Sequence, residues 1–278
     1  MPQRLHTRVW EYFDAGGSLL GKPWPIAYRY DIDRRVELLG RFGVVRFGAL
    51  SYPHKPDMAR SLNDWAAAFA TRVPAALHCA TFYPEPDAAA YVDEALDAGA
   101  LLFKAHVQVG AYDPRDPLLT PVWGRLAEAG VPVVVHCGNG PQPGRFTGPE
   151  VFAEVLARHP RLTAVIAHLG APDYVAFADL LERYERLYLD TTMAATDFFT
   201  ELGAPLPAGL VARLAEHSDR VVFGSDFPNI PYPYAHQLEG LTRLDLGDDW
   251  LRGVYWHNPT RLLGLDPRLV TPPEKKVR

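Results

Sequence analysis

The chain has 278 residues, 48% hydrophobic and 22% charged, the balance of a folded globule rather than a disordered chain. Its 28 basic and 33 acidic residues leave a net charge of −5, spread without long blocks, so no electrostatic footprint favours nucleic acid. No aliphatic stretch approaches the roughly 20 residues of a bilayer span. Arg4, His6, Arg8, Glu11 and Asp14 break up any secretory core, and two cysteines, Cys79 and Cys137, make no disulfide framework, so the expected compartment is cytoplasmic.

Residues 1–43 predict a helix over Leu5–Phe13, a Gly/Pro-rich loop through Tyr28 and a helix over Asp31–Arg41. Seven runs of the buried-strand type follow: Val44–Leu50, Ala75–Phe82, Ala100–Val107, Val131–His136, Leu162–His168, Leu187–Thr192 and Arg220–Asp226. Helical patterns separate most of them, at Asp57–Ala70, Ala88–Ala98, Leu118–Ala129, Pro149–Arg158, Pro172–Tyr184 and Ala208–His217. Strand starts lie roughly 24 to 34 residues apart, the length of one strand–helix repeat. This alternation over 44–226 predicts an α/β fold with a parallel sheet, a (β/α)8 TIM-type barrel lacking strand 1. Residues 227–265 read as closing helices and 266–278 as a tail, all in one barrel domain spanning 1–278.

Strand alternation assigns an inward face to Ala76, His78 and Ala80; to Lys104 and His106; to Val134 and His136; to Ala164, Ile166 and His168; to Tyr188, Asp190 and Thr192; and to Val222, Gly224 and Asp226. Three strand ends carry metal-ligand chemistry: His136 before Cys137-Gly138, His168 before Leu169-Gly170, and Asp226 before Phe227-Pro228. One strand-end histidine is more often a satisfied core residue. Three such ends, each followed by Gly or Pro, favour a site, where imidazole and carboxylate can hold a divalent ion and lower the pKa of its water to about 7.

The pattern His136-Cys137-Gly138, His168-Leu169-Gly170, Asp190-Thr191-Thr192, Gly224-Ser225-Asp226-Phe227-Pro228, with closing Asn258-Pro259 and Arg261-Leu262-Leu263-Gly264, resembles the amidohydrolase-related family, in the branch of the aminocarboxymuconate semialdehyde decarboxylase-like enzymes. The resemblance implies a (β/α)8 barrel with one divalent metal ion, most often zinc (Zn2+). It implies His136 and Asp226 as metal ligands, Asp226 also taking a proton from the metal's water, and His168 as the adjoining acid, base or oxyanion partner. Ser225 is implied as an orienting residue behind them. Dimerisation is common in this branch, so a homodimer is among its implications. The family's strand-one His-x-His pair is not in this sequence, and the reading predicts that Met1 is an internal methionine of a chain that starts upstream.

Other polar residues carry two readings each. Lys104 and His106 are expected in the substrate pocket or an internal ion pair, and His78 as pocket lining or a satisfied core residue. Asp190 orients His168 or caps the following loop, and Arg145 is the arginine nearest to serve a substrate carboxylate. Cys79 and Cys137 are expected to pack outward. Trp24, Tyr28, Tyr232 and Tyr234 line the mouth or pack its loops. The leading expectation is a metal-dependent hydrolase acting on an ester, lactone or amide of a small molecule. A non-oxidative carboxy-lyase on a small unsaturated or aromatic acid is the alternative, and an inactive, metal-deficient barrel is a third.

Overall fold

A computed structural model describes residues 1–16, 23–266 and 268; most of the tail expected over 266–278 and part of the early loop lie outside them. The strands are β1 (Phe47–Gly48), β2 (Ala76–Leu77), β3 (Cys79–Thr81), β4 (Leu102–His106), β5 (Val133–His136), β6 (Ala164–Ile166), β7 (Leu187–Asp190) and β8 (Val221–Val222). Every pair is parallel and joins neighbours in chain order, β1 with β2 and β3 through β8 in one sheet. Because β2 and β3 flank His78 within one expected run, the eight segments make seven staves. Among the described residues no strand stands between β8 and β1.

The sheet is apolar on both faces, as a parallel sheet between helices and an interior must be. Outward, Val133, Val135, Ala164, Ile166, Leu187, Leu189 and Val221 pack with helix residues such as Phe152, Leu156, Phe177 and Leu181. Inward, Leu77, Cys79, Leu102, Val134, Val165, Ala167 and Val222 form a separate cluster, against which Leu262, Leu263 and Leu265 pack. The helix Pro149–Arg158 has its expected bounds, with proline in the first turn. That over Ile32–Arg41 is capped by the Asp31 side chain, which accepts from Arg34 N at 2.8 Å.

Two stretches of the inward face alternate with the opposite parity to the one expected. Along β2 and β3 the inward residues are Leu77 and Cys79, while Ala76 and Ala80 join outer clusters; Cys79 therefore packs inside the barrel, not outside it. Along β6 the inward residues are Val165 and Ala167, with Ala164 and Ile166 outside.

The gap beside β8 is covered from both ends of the chain. Phe223 N donates to Val254 O at 3.1 Å, and Asn258 Nδ2 donates to Ser218 O and Val221 O at 2.7 Å each. Trp24 Nε1 donates to Asn229 O at 2.7 Å and Ala27 N to Ile230 O at 2.9 Å. Tyr28, Phe42, Phe227 and Tyr234 pack ring against ring there, so Trp24, Tyr28 and Tyr234 serve loop packing. Pairing and covering a sheet edge in this way removes its template for aggregation.

The helix Gln3–Gly16 docks on Ile32–Arg41 through a buried polar contact. The Arg35 guanidinium donates to His6 Nδ1 at 2.7 Å and to Gln3 Oε1 at 3.0 Å. Burial, then the charge of Arg35, lowers the His6 pKa to about 3. The unfolded chain therefore binds a proton here below about pH 6.5 that the folded chain refuses. This contribution to stability is complete above about pH 6.5 and is lost as pH falls toward 3. His6→Gln, which keeps an acceptor for Arg35, is expected to reduce the loss of stability between pH 7 and pH 4 by on the order of 2 kcal/mol. Urea unfolding of both proteins across that range checks it, and an unchanged pH slope counts against it.

Candidate active site

Polar side chains gather where β4 to β8 end. In the parallel register His106 lies opposite His136, and their rings stack at 4.0 Å with planes 12° apart. The His136 ring meets that of His168 edge-on at 4.8 Å. His168 Nε2 in turn stands 3.7 Å from Asp226 Oδ2, and Phe199 stacks on its ring at 5.7 Å. Tyr52, just beyond β1, tilts against His106 at 4.4 Å. The structure thus sets His136, His168 and Asp226 in one continuous group at one rim, the end of a barrel that usually carries chemistry.

His168 reaches this group by a local break in the backbone. β6 ends at Ile166, and His168 and Leu169 then take left-handed conformations, with φ 58° and 54°. Such φ values disfavour residues with a Cβ. Two hydrogen bonds hold the turn: His168 N and Thr192 N both donate to Asp190 Oδ1 at 3.0 Å. A Cβ on Gly170 would lie 2.1 Å from the Phe177 ring, and one on Gly138 would lie 2.8 Å from Ala171 O. The glycines after these strand ends therefore mark the close approach of one loop to the next.

Hydrogen bonds assign the ring protons. Thr192 O can only accept, so the contact of His168 Nδ1 at 3.1 Å puts a proton on Nδ1, and the neutral ring then has its lone pair on Nε2, facing Asp226. Gly140 O takes the Nε2 proton of His136 at 3.0 Å, leaving Nδ1 free. His106 Nδ1 accepts from Val109 N at 3.3 Å. Burial, followed by the His136, Lys104 and His168 charges, holds the His106 pKa well below its ordinary value. His136 is lowered for the same reasons, burial first and then His168 and Lys104. Burial raises the phenols of Tyr52 and Tyr232, and the Asp226 charge adds to both.

The remaining expected residues fall into two groups. Lys104 and His106 are buried in β4, and burial lowers the Lys104 pKa against the opposing charges of Asp190 and Asp226. Asp190 holds the main chain of His168 and of Thr192 through one oxygen. Ser225 accepts from Phe227 N at 3.3 Å, which shapes the turn carrying Asp226. His78 shares its alternation with Ala76 and Ala80 outside the barrel and is not brought into the group. Arg145 is exposed, with its guanidinium over the Phe146 ring at 5.0 Å. Tyr52 and Phe199 belong to the site without having been expected there. The end of the first run at Leu50 pointed toward Tyr52. Thr196, whose side chain caps the helix Asp197–Glu201, was the signal for Phe199.

A metal ion is a question of donors. His168 Nε2 and Asp226 Oδ2 have free lone pairs 3.7 Å apart, a spacing one ion can bridge. However, among the described residues no three or more His, Cys, Asp or Glu groups are arranged to hold a metal, and a catalytic zinc ion ordinarily takes three protein ligands. By that count the residues described do not fit a resident ion on their own.

Asp190→Ala strands two buried N–H groups and is expected to cost about 2–5 kcal/mol. Asp190→Asn, which keeps an acceptor oxygen, is expected to cost less than half as much. Chemical denaturation of both variants checks this; equal losses would argue against the double acceptor.

The amidohydrolase family model matches residues 5–265. No curated protein matches the chain. Among solved structures, an uncharacterized TIM-barrel protein from Bordetella bronchiseptica superposes with a TM-score of 0.73 at 23% identity, over 94% of this chain and 92% of that one. A probable 2-pyrone-4,6-dicarboxylic acid hydrolase from Acinetobacter baumannii gives 0.63 at 14% identity, over 86% and 93%. A 5-carboxyvanillate decarboxylase from Novosphingobium aromaticivorans, solved with bound manganese, gives 0.61 at 16%, over 84% and 80%. At these identities the likeness establishes an α/β fold of the TIM-barrel type. With its family model spanning nearly all of the described residues, the chain belongs to the amidohydrolase family.

Proposed function

We propose that this family member is a hydrolase that cleaves an ester, lactone or amide of a small molecule at the rim formed by β4 to β8. The observation that carries the reading is the His168–Asp226 pair. The Nδ1 proton is pinned by Thr192 O and the Nε2 lone pair stands 3.7 Å from a carboxylate oxygen. Nε2 is then the base that takes a proton from a water held between the two groups, and Asp226 stabilises the resulting imidazolium. The imidazolium returns the proton to the leaving oxygen or nitrogen. Positioning by Thr192 O and Asp190 keeps the ring from rotating away, the preorganisation that such proton transfer requires.

A divalent ion accords with the family, and zinc is the identity favoured by the sequence resemblance. His168 and Asp226, with His136 beside them, are the described groups nearest to such an ion's needs but fall short of the three ligands it ordinarily takes, so no step here passes through it. A second reading, a carboxy-lyase, draws support from Lys104. Its buried ammonium donates no hydrogen bond to any described residue and suits a substrate carboxylate, while His168 would protonate the carbon that carbon dioxide leaves.

Small aryl esters, lactones and hydroxybenzoates, offered in 18O-labelled water, separate the two. Label in the product acid marks a hydrolase, and labelled-water-independent release of carbon dioxide marks a lyase. On the substrate that turns over, His168→Asn is expected to lower kcat/KM by about 10²–10⁴-fold and Asp226→Asn by at least about tenfold, with unchanged thermal unfolding. Full activity in His168→Asn would contradict the reading.

A further inference from the structure

The turn that carries Asp226 is held from outside the barrel. Asp226 follows β8 in a left-handed conformation, φ 51°, which disfavours a residue with a Cβ, and its side chain is 49% exposed. The strand ladder cannot fix its direction, because β8 ends at Val222. The turn closes through Asn229 N, which donates to Asp226 O at 2.8 Å. Asn229 is itself gripped by two indoles: Trp10 Nε1 donates to its side-chain Oδ1 at 3.1 Å, and Trp24 Nε1 to its main-chain O at 2.7 Å. Both indoles come from outside the staves. Trp10 belongs to the helix Gln3–Gly16, where its ring stacks on His6 at 5.6 Å with planes 25° apart and lies under the Arg35 guanidinium at 5.8 Å. Trp24 is buried, and its ring meets Phe13 at 5.2 Å and Phe198 at 4.8 Å. Phe198 precedes Phe199, whose ring stacks on His168. One indole thus touches both sides of the His168–Asp226 pair: the turn bearing the carboxylate, and the short helix whose next residue lies on the imidazole.

We infer that Asn229 is a positioning residue of this site, and that Trp10 and Trp24 hold it so that the Asp226 carboxylate faces His168 Nε2. The N-terminal helix is then part of the active-site machinery and not only a cover for the sheet edge. Hydrogen bonds to the main chain of a turn remove backbone freedom that a half-exposed carboxylate would otherwise keep, and a misplacement of about 1 Å between reacting groups is enough to slow a reaction steeply. Packing alone would need the ring bulk of Trp10 but not its N–H, and would leave the Asn229 side chain dispensable. The inference rests on the proposed pairing of His168 with Asp226.

The test removes a single hydrogen bond and keeps the surrounding packing. Trp10→Phe deletes the indole donor and Asn229→Ala its acceptor, while the main-chain bonds of residue 229 stay possible in both. Amide hydrogen exchange, read by NMR without substrate, compares the N–H of residue 229 with that of Val133, which donates to Thr163 O in the sheet. Exchange at 229 is expected to quicken at least about fivefold in each variant, with Val133 unchanged. The double variant should go no further, because both substitutions remove one bond. On the substrate that turns over, kcat is expected to fall about tenfold in either variant with KM within about twofold. Unchanged exchange at 229, equal quickening at Val133, additive quickening in the double variant, or local quickening with unaltered kcat would each overturn the inference. Full activity in His168→Asn marks instead a failure of the proposed base, and exchange at 229 then still decides whether the indoles grip the turn.

Discussion

Asp190 Oδ1 accepts two main-chain hydrogen bonds at once, from His168 on the neighbouring stave and from Thr192 two residues along its own chain. The first holds His168 in a left-handed conformation at the end of β6, and the second fixes the loop whose Thr192 carbonyl receives the His168 Nδ1 proton. Because one buried carboxylate serves both segments, the position of the ring and its tautomer are set together. The facing lone pair at Nε2, and with it the chemistry available beside Asp226, depends on that one anchor.

Around the anchor the mouth is electrostatically divided. His106 and His136 are stacked, buried and kept neutral, so they contribute lone pairs and ring faces but little charge. The charged groups are Lys104 deep in the barrel, Asp190 bound to main chain, and Asp226 at the open rim. Tyr52 and Phe199 add aromatic faces at opposite ends of the imidazole row.

Much of this was legible in the sequence because parallel strands obey a period of two. That rule places Lys104, Val134, Asp190 and Val222 on the inward side of their staves, and the strand-end residue His136 follows from it, whereas Asp226 lies beyond β8 with a left-handed φ of 51°. It fails where the backbone leaves the strand. His168 lies on the outward parity of β6 and enters the site through two left-handed residues, a conformation that hydrophobic periodicity does not encode. The Gly170 that follows was the local sign of it. Along Ala75–Phe82 the interruption at His78 defeated the pattern, since alternation among alanines and a cysteine gives no strong hydrophobic contrast. The short helix Asp197–Glu201 carries too few residues for a helical period, so Phe199 was hidden.

The most direct test is the protonation of individual ring nitrogens, read from 15N–1H correlation spectra of histidine side chains near neutral pH. Opposite tautomers are expected in adjoining rings, with the proton of His168 on Nδ1 and that of His136 on Nε2. A His168 ring protonated on Nε2 would turn its only free lone pair away from Asp226, and the proposed base would not exist.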